Sequence, residues 1–125
     1  MSLARDFQEL LIWQRGHVFA LEVYKLTETF PSTERFALAD QLRRAAVSVP
    51  SNIAEGFERE STKEFIHFLV IARGSLAETQ AQILLARDLG YIEVEICTEF
   101  LEKSSELHKM LNSFKKSIEK KGLAH

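Results

Sequence analysis

Apolar residues recur every three or four positions along most of the chain, which is the spacing that places side chains on one face of an α-helix. The second predicted helix carries the stripe Leu38, Leu42, Ala45, Val49, Ile53 and Phe57. The third carries Phe65, Phe68, Ala72, Leu76, Thr79, Ile83 and Ala86, and the fourth carries Ile96, Phe100, Leu107, Met110 or Leu111, Phe114 and Ile118. Together with the first segment, this pattern predicts four helices and no strands.

Proline, glycine and capping residues set the ends of these helices. Pro31 ends the first helix, because the residue before a proline is pushed out of the α region. Ser61 and Glu64 form a capping box, and Gly90 suits the left-handed conformation just beyond a helix C-terminus. The predicted helices are Phe7–Thr29, Ser32 or Thr33 to Arg59, Ser61–Gly90 and Glu93–Lys120, the last stopping at Gly122.

The fold that follows is an all-α, antiparallel up-and-down four-helix bundle, because short loops make consecutive helices antiparallel neighbours. With 125 residues the chain forms a single domain over residues 1–125, and we expect Lys121 to His125 to be frayed. Pro50 lies inside the second helix, where it removes a backbone donor and clashes with the carbonyl of Ala46. We therefore expect this helix to be bent at Pro50.

The first helix is apolar over more than half of its circumference, and Leu11, Val18 and Leu21 are its expected core seam. A helix that is apolar nearly all round is buried on more than one side. One interpretation leaves the extra side chains at bundle corners without a partner. We favour self-association, because large apolar patches are uncommon on soluble monomers. We also expect Gly74 to let another helix approach closely. The candidate interface residues are Trp13, Phe19, Tyr24, Ile71 and Leu85.

Polar residues also follow helical spacing in the second helix, on a face beside its apolar stripe. They are Gln41, Arg44, Ser48, Asn52, Glu55 and Arg59, with Glu78 of the third helix as a candidate facing group. This polar stripe could form a pocket for a phosphate, a nucleotide or a carboxylate, because arginine presents a fork of donors to such groups. Alternatively, Arg44 pairs with Glu55 or Glu78 across a partly buried seam. In that case Ser48 or Asn52 contacts backbone groups that the proline frees, and the stripe sets registry.

The run QLRRAAVSVPSNIAEG, from Gln41 to Gly56, resembles the core motif of the four-helix-bundle proteins encoded in intervening sequences of bacterial 23S rRNA genes. The similarity covers residues 7 to about 115 and includes GSLAETQ, where Thr79 and Gln80 depart from the family's usual GSLxELE. The resemblance implies a folded homo-oligomer, ring-shaped and pentameric where the state is clear, with no assigned reaction. A non-enzymatic scaffold or interaction protein is therefore the favoured function.

The charge of the chain bears on whether it binds nucleic acid. The chain has 16 Lys and Arg residues and 18 Asp and Glu residues, so its formal charge of −2 predicts no general attraction to nucleic acid. A local basic patch in the fourth helix makes Lys115, Lys116, Lys120 and Lys121 candidates for weak RNA contact. An RNA-binding accessory protein is the alternative function. A small-anion or nucleotide site on the polar stripe is less favoured.

No sequence signature of catalysis, metal binding or membrane insertion is visible. The histidines lack metal-ligand spacing, and neither a P-loop nor a GxGxxG run occurs. Cys97 is the single cysteine, which excludes an internal disulfide and fits a reducing compartment. The apolar runs are far shorter than the roughly 20 residues that span a bilayer, and the start does not resemble a signal peptide. We expect a cytoplasmic protein that is not an enzyme and has no cofactor, metal or membrane contact.

Overall fold

The computed structural model describes residues 4–121. Its long helices are α1 (Leu11–Thr27), α2 (Leu38–Phe57), α3 (Thr62–Asp88) and α4 (Val94–Lys121). Two 3-10 turns, Phe7–Glu9 and Ser32–Glu34, precede α1 and α2, and the described residues contain no strand. The all-α prediction is confirmed.

Each helix contacts the helix before it and the helix after it, and α4 returns to α1, so that the four surround one core. Over residues 4–121, no Cα atom of α1 lies within 8 Å of one in α3, and the same holds for α2 and α4, so these are the diagonal pairs of the bundle. This arrangement confirms the predicted four-helix bundle. Its consequence for function is that the outer faces of α1 and α3 point to opposite sides of the molecule.

The core residues of α2, α3 and α4 are those that the apolar spacing predicts. Every residue of the apolar stripe of α2 is buried, and Val49 and Ile53 are 0% exposed. The predicted seams of α3 and α4 are also buried, apart from the partly exposed Phe68, Ile96, Met110 and Phe114. Burial of each large apolar side chain contributes about 1.5–3 kcal/mol relative to its exposure, so these seams carry much of the driving force for folding.

α1 turns the opposite side to the core from the one predicted. Leu11, Val18 and Leu21 are 54%, 50% and 51% exposed, so the prediction that they form the seam is wrong. The buried side consists of Ile12, Gly16, Phe19, Ala20, Val23, Leu26 and Thr27. Both sides of α1 are apolar, and the fit against α2 selects between them. A Cβ added to Gly16 would lie 3.6 Å from Val49, which is ordinary van der Waals contact, so this side of α1 packs directly against α2.

α2 continues through Pro50 to Phe57 as a single α-helix. Pro50 is buried, and a Cβ added to Gly16 would lie 3.7 Å from the Pro50 Cβ. A proline in a helix interior costs about 3 kcal/mol, and packing against α1 offsets part of that cost here. The predicted bend at this residue stays a prediction.

The predicted start of the second helix at Ser32 or Thr33 is wrong. These residues belong to the separate 3-10 turn, and α2 begins at Leu38 after Ala37 adopts φ −122° and ψ −106°, outside the helical region. Glu34 nevertheless serves the true helix start, because its carboxylate accepts a hydrogen bond of 3.3 Å from the Leu38 amide. The acid acts on the first turn of α2, as its charge favours, but from a position four residues earlier in the chain.

Both ends of α3 follow the predicted local chemistry. The Ser61 hydroxyl accepts a hydrogen bond of 3.1 Å from the Glu64 amide, as an N-cap residue does. Gly90 has φ +80°, and its amide and the following one donate to carbonyls of the last helical turn. This closes the helix in the left-handed conformation that glycine adopts most easily.

The outer ends of the chain differ slightly from prediction. α1 begins at Leu11 and not at Phe7, because Phe7–Glu9 is a 3-10 turn that is followed by an extended Leu10. α4 is helical through Lys121, and the predicted stop at Gly122 and fraying up to His125 lie outside the described residues. Within residues 4–121 no helix combines the length and the apolar character needed to cross a membrane.

Candidate functional site

The polar stripe of α2 lies on the outside of the bundle. Gln41, Arg44 and Glu55 are exposed, and Ser48, Asn52 and Arg59 are half-buried. Arg44 pairs with Asp40 at 3.0 Å, one turn earlier on the same helix, and its side chain is 79% exposed. The predicted pairing of Arg44 with Glu55 or Glu78 across a buried seam is therefore wrong. An exposed pair of this spacing contributes about 0.3–0.5 kcal/mol, so replacing Arg44 would not strand a buried charge.

Arg59 forms an ion pair with Glu55, the acidic residue of the polar stripe. Its guanidinium lies 2.9 Å from Glu55 and 4.7 Å above the centre of the Phe68 ring. Arg44 thus has a carboxylate partner from its own helix, and Arg59, which follows the C-terminus of α2, has one from the last turn of that helix. Lys63 and His67 lie beside Arg59 along an open surface cleft of about 570 Å³. The paired charges and the open cleft give little support to an anion pocket at this position.

The uncharged members of the stripe join α2 to α3. The Asn52 amide donates to the Ser48 carbonyl at 2.7 Å and to the Ser48 hydroxyl at 2.9 Å. The Ser75 hydroxyl donates to the Ser48 hydroxyl at 2.9 Å, and the Thr79 hydroxyl donates to the Ser75 carbonyl at 2.8 Å. Asn52 bonds the backbone at the Ser48 carbonyl and not at the Ala46 carbonyl that the proline deprives of a donor, so it does not make the predicted contact with the freed backbone group. These bonds fix the register of α2 on α3.

Within residues 4–121, Glu78 forms neither a hydrogen bond nor an ion pair with a residue of the polar stripe. Its side chain is exposed and accepts a hydrogen bond of 3.3 Å from the Gln82 amide. It has no cationic partner within residues 4–121, where Arg44 and Arg59 pair with other acids. The predicted site residues of α2 and α3 therefore do not converge on one pocket.

The outer surface of α3 is unusually free of charge along one line. We call this line the α3 row, which consists of Val70, Gly74, Ala77, Ala81 and Leu85, all exposed. A Cβ added to Gly74 would meet no atom within 4 Å, so among residues 4–121 no other helix makes the expected close approach. Sequence analysis missed Val70, Ala77 and Ala81. Their spacing of three and four residues opposite the buried seam was the signal that could have found them.

The outer surface of α1 also exposes large apolar side chains. We call Leu11, Val18 and Leu21, with the exposed cations Arg15 and Lys25 beside them, the α1 face. Between α1 and α4 this surface opens into two clefts of about 240 and 550 Å³. Met110 of α4 lines both clefts, so apolar surface continues from α1 into the seam with α4.

The predicted interface residues divide into three groups. Phe19 is 3% exposed and lies in the core, so its prediction as an interface residue is wrong. Trp13 is half-buried and stacks on a histidine of its own helix, whereas Tyr24 is 41% exposed and contacts an arginine. Ile71 and Leu85 are 39% and 49% exposed on the outside of α3. For Trp13, Tyr24, Ile71 and Leu85, a role at an interface between copies stays a prediction.

The candidate RNA-binding lysines lie at the C-terminal end of α4. Lys115 pairs with Glu119 at 3.1 Å. Lys116, Lys120 and Lys121 line an open surface cleft of about 590 Å³. These three lysines therefore form an exposed basic surface, while the charge of Lys115 is partly compensated.

The shifted pKa values among the described residues lie at the turn between α3 and α4. A hydrogen bond from Arg87, at 2.8 Å, lowers the pKa of Asp88. The pKa of Tyr91 is raised, first because its hydroxyl donates to Glu34 and then because of partial burial. These pairs tie the turn together. No group of three metal-binding side chains occurs in the described residues, and Cys97 is buried.

Comparison with known proteins adds a family and a solved fold. The family profile of 23S rRNA-intervening sequence proteins matches residues 8–113. The chain is also similar to a protein of unknown function from the S23 ribosomal protein family of Bacteroides thetaiotaomicron, whose crystal structure was determined at 1.70 Å resolution. That similarity has 26% identity and a TM-score of 0.79, and it covers 85% of this chain and 99% of the other. No curated protein matches the chain significantly.

Proposed function

The chain belongs to the family of 23S rRNA-intervening sequence proteins, and on that premise we propose that it is a non-enzymatic scaffold that works as a homo-oligomer. The resemblance to the family makes a ring of five subunits the expected assembly. The single buried cysteine is compatible with a cytoplasmic location. The charged groups of the polar stripe form ion pairs with neighbouring residues, which favours an assembly role over a catalytic one.

The exposure of apolar side chains on two diagonal helices is the observation that carries this proposal. Val18 and Leu21 of α1 are about half exposed, at 50% and 51%, and Leu85 of α3 is 49% exposed. A soluble monomer rarely exposes large contiguous apolar patches, and such patches commonly mark interaction surfaces. Two patches on opposite sides of a bundle favour assembly into more than a simple pair.

The mass of the protein in solution tests the proposal. Size-exclusion chromatography with light scattering should give several times the subunit mass of 14.3 kDa at micromolar concentration. Val70→Glu, on the α3 row, should lower that mass, because a buried unpaired charge opposes association. Val47→Glu is the matched control, because Val47 is 41% exposed among polar residues of α2. A wild-type protein that stays monomeric at tens of micromolar would contradict the proposal.

RNA binding is the second candidate function, and the exposed lysine surface of α4 favours it. Any binding through Lys116, Lys120 and Lys121 should weaken steeply with salt and be insensitive to base sequence, because phosphate contacts carry no sequence information. Replacing these three lysines together with Lys115 by glutamine should abolish binding to a fluorescent single-stranded RNA. Sequence-selective binding that survives both this change and about 200 mM salt would favour an RNA-specific role over the scaffold.

A further inference from the structure

We infer that the α1 face of one copy packs against the α3 row of the next copy, with Glu78 of the second copy facing Arg15 and Lys25 of the first. This inference rests on the proposed self-association and names the two surfaces that would carry it. It gives Glu78, which forms no bond with the polar stripe, a role in binding a second copy of the chain.

The position of the two surfaces favours a head-to-tail contact between copies. A two-fold dimer pairs a surface patch with the same patch on its partner. Because α1 and α3 are diagonal, one such contact would leave either the α1 face or the α3 row exposed. A contact between the two different surfaces covers both on every subunit, and it closes into a ring when the rotation between neighbours allows.

The shapes of the two surfaces complement each other. Gly74, Ala77 and Ala81 present almost no side chain along the middle of the α3 row, so a neighbouring helix can come close to its backbone. The α1 face instead presents large side chains, such as Val18 and Leu21. Large residues on one helix that meet small residues on another can fill the space between the two backbones.

The exposed cations of the α1 face and the exposed acid beside the α3 row are opposite in sign. The side chains of Arg15 and Lys25 are exposed and have no ion-pair partner among residues 4–121. Glu78 is exposed beside the α3 row and likewise lacks a cation in the same part of the chain. A contact of the α1 face with itself would bring like charges together, whereas a contact with the α3 row would bring opposite charges together.

A charge-reversal experiment tests this pairing. Glu78→Arg should raise the dissociation constant of the assembly at least about tenfold in sedimentation equilibrium, because it places three cations together at each contact. Joint reversal of Arg15→Glu and Lys25→Glu should weaken assembly in the same way. Combining all three changes in one chain should restore assembly. Glu58→Arg is the matched control, since Glu58 is exposed at the end of α2, and it should leave the mass unchanged.

The outcomes separate this inference from the proposed function. If the wild-type protein is an oligomer and Glu78→Arg leaves its dissociation constant unchanged, the pairing is contradicted while self-association stands. The same conclusion follows if the triple change assembles no better than the single change. A monomeric wild-type protein contradicts both. Unchanged helical circular dichroism of Glu78→Arg would show that loss of assembly does not come from unfolding.

Discussion

Two seams of the same bundle are built very differently. Between α2 and α3 the packing is closed, because a Cβ added to Gly56 would lie 2.7 Å from the Phe68 Cβ and 2.9 Å from a Phe65 ring carbon. Between α1 and α4 the packing is open, with clefts of about 240 and 550 Å³ and an ion pair of Lys103 with Glu22 at 2.5 Å across the surface. The two seams share one core.

The difference indicates that the α2–α3 seam fixes the register of the fold, whereas the α1–α4 seam constrains it less. A glycine that admits a helix so closely fixes the distance and the register of α2 on α3, and the bond between Ser48 and Ser75 adds a polar constraint. The α1–α4 seam has no comparable close glycine contact among the described residues. The apolar side chains of α1 that remain exposed are the ones that the proposed contact with a second copy would cover.

The largest expected difference comes from shortening a large side chain in each seam. Phe65 is 0% exposed and packs its ring against Phe57 and Phe114, so Phe65→Ala should lower the free energy of unfolding by about 3–5 kcal/mol. Met110→Ala, on the open seam, should cost less than half as much, because Met110 is already partly exposed. Urea denaturation of both variants measures the contrast. Equal losses would contradict the division into a closed and an open seam.

A second contrast uses two glycines of the closed half. Gly56→Ala should cost about 1–3 kcal/mol, because the new methyl group would force Phe68 and Phe65 to shift. Gly74→Ala should stabilise the isolated subunit by about 0.5–1 kcal/mol, because the site is open and alanine favours a helix. Denaturation at a concentration that dissociates the assembly measures both. In the assembled protein Gly74→Ala should instead weaken association, if the α3 row is covered.

Polar contacts across the two seams should differ less. Ser75→Ala removes the bond to Ser48 and leaves a half-buried hydroxyl with one partner fewer, so we expect a loss of about 1 kcal/mol. Glu22→Gln breaks the surface pair with Lys103 and should cost at most about 0.5 kcal/mol, because solvent and salt screen such pairs. Repeating both measurements in 1 M salt serves as a control, since only the second effect should shrink appreciably.

The smallest effect concerns pH at the end of the bundle where the α1–α2 and α3–α4 connections are joined by the bond from Tyr91 to Glu34. Tyr91 has a raised pKa in the folded protein, because its hydroxyl donates to Glu34, so its contribution to stability is complete below the unfolded value of about 10. That contribution is lost as the pH rises through the folded value. Tyr91→Phe should therefore flatten the alkaline fall in stability that the wild type shows above pH 10. Identical alkaline curves for the two proteins would contradict a functional bond at this position.

Much of the fold could be predicted from the sequence because most helices have one clearly apolar side. The α2 stripe from Leu38 to Phe57 is buried as predicted, and the Ser61 cap and the Gly90 turn follow rules that act within a few residues. Helical spacing selects the wrong face of α1, because Leu11, Val18 and Leu21 match it as well as the true core does. Periodicity measures the presence of an apolar side, and only packing against neighbours selects between two such sides.

The candidate site could be predicted less well because its chemistry depends on distances that spacing does not give. Arg44 has an acid one turn away at Asp40, and that local exposed pair prevails over the longer contact predicted with Glu55. α2 begins at Leu38, whose amide donates to Glu34 of the preceding 3-10 turn, a contact that residue preferences alone do not reveal. The partner of Arg44 and the start of α2 thus depend on local ion pairs and turns, which helical spacing does not predict.

The most direct test of the head-to-tail account is the mass of an equal mixture of Val18→Glu and Val70→Glu. Each variant keeps one of the two surfaces intact, so each alone should stay near the subunit mass of 14.3 kDa. When they are mixed, the intact α1 face of one binds the intact α3 row of the other. The exposed ends of that pair both carry a new glutamate, so light scattering should give twice the subunit mass and nothing larger. Dimers formed by either variant alone, or a mixture that stays monomeric, would contradict the account.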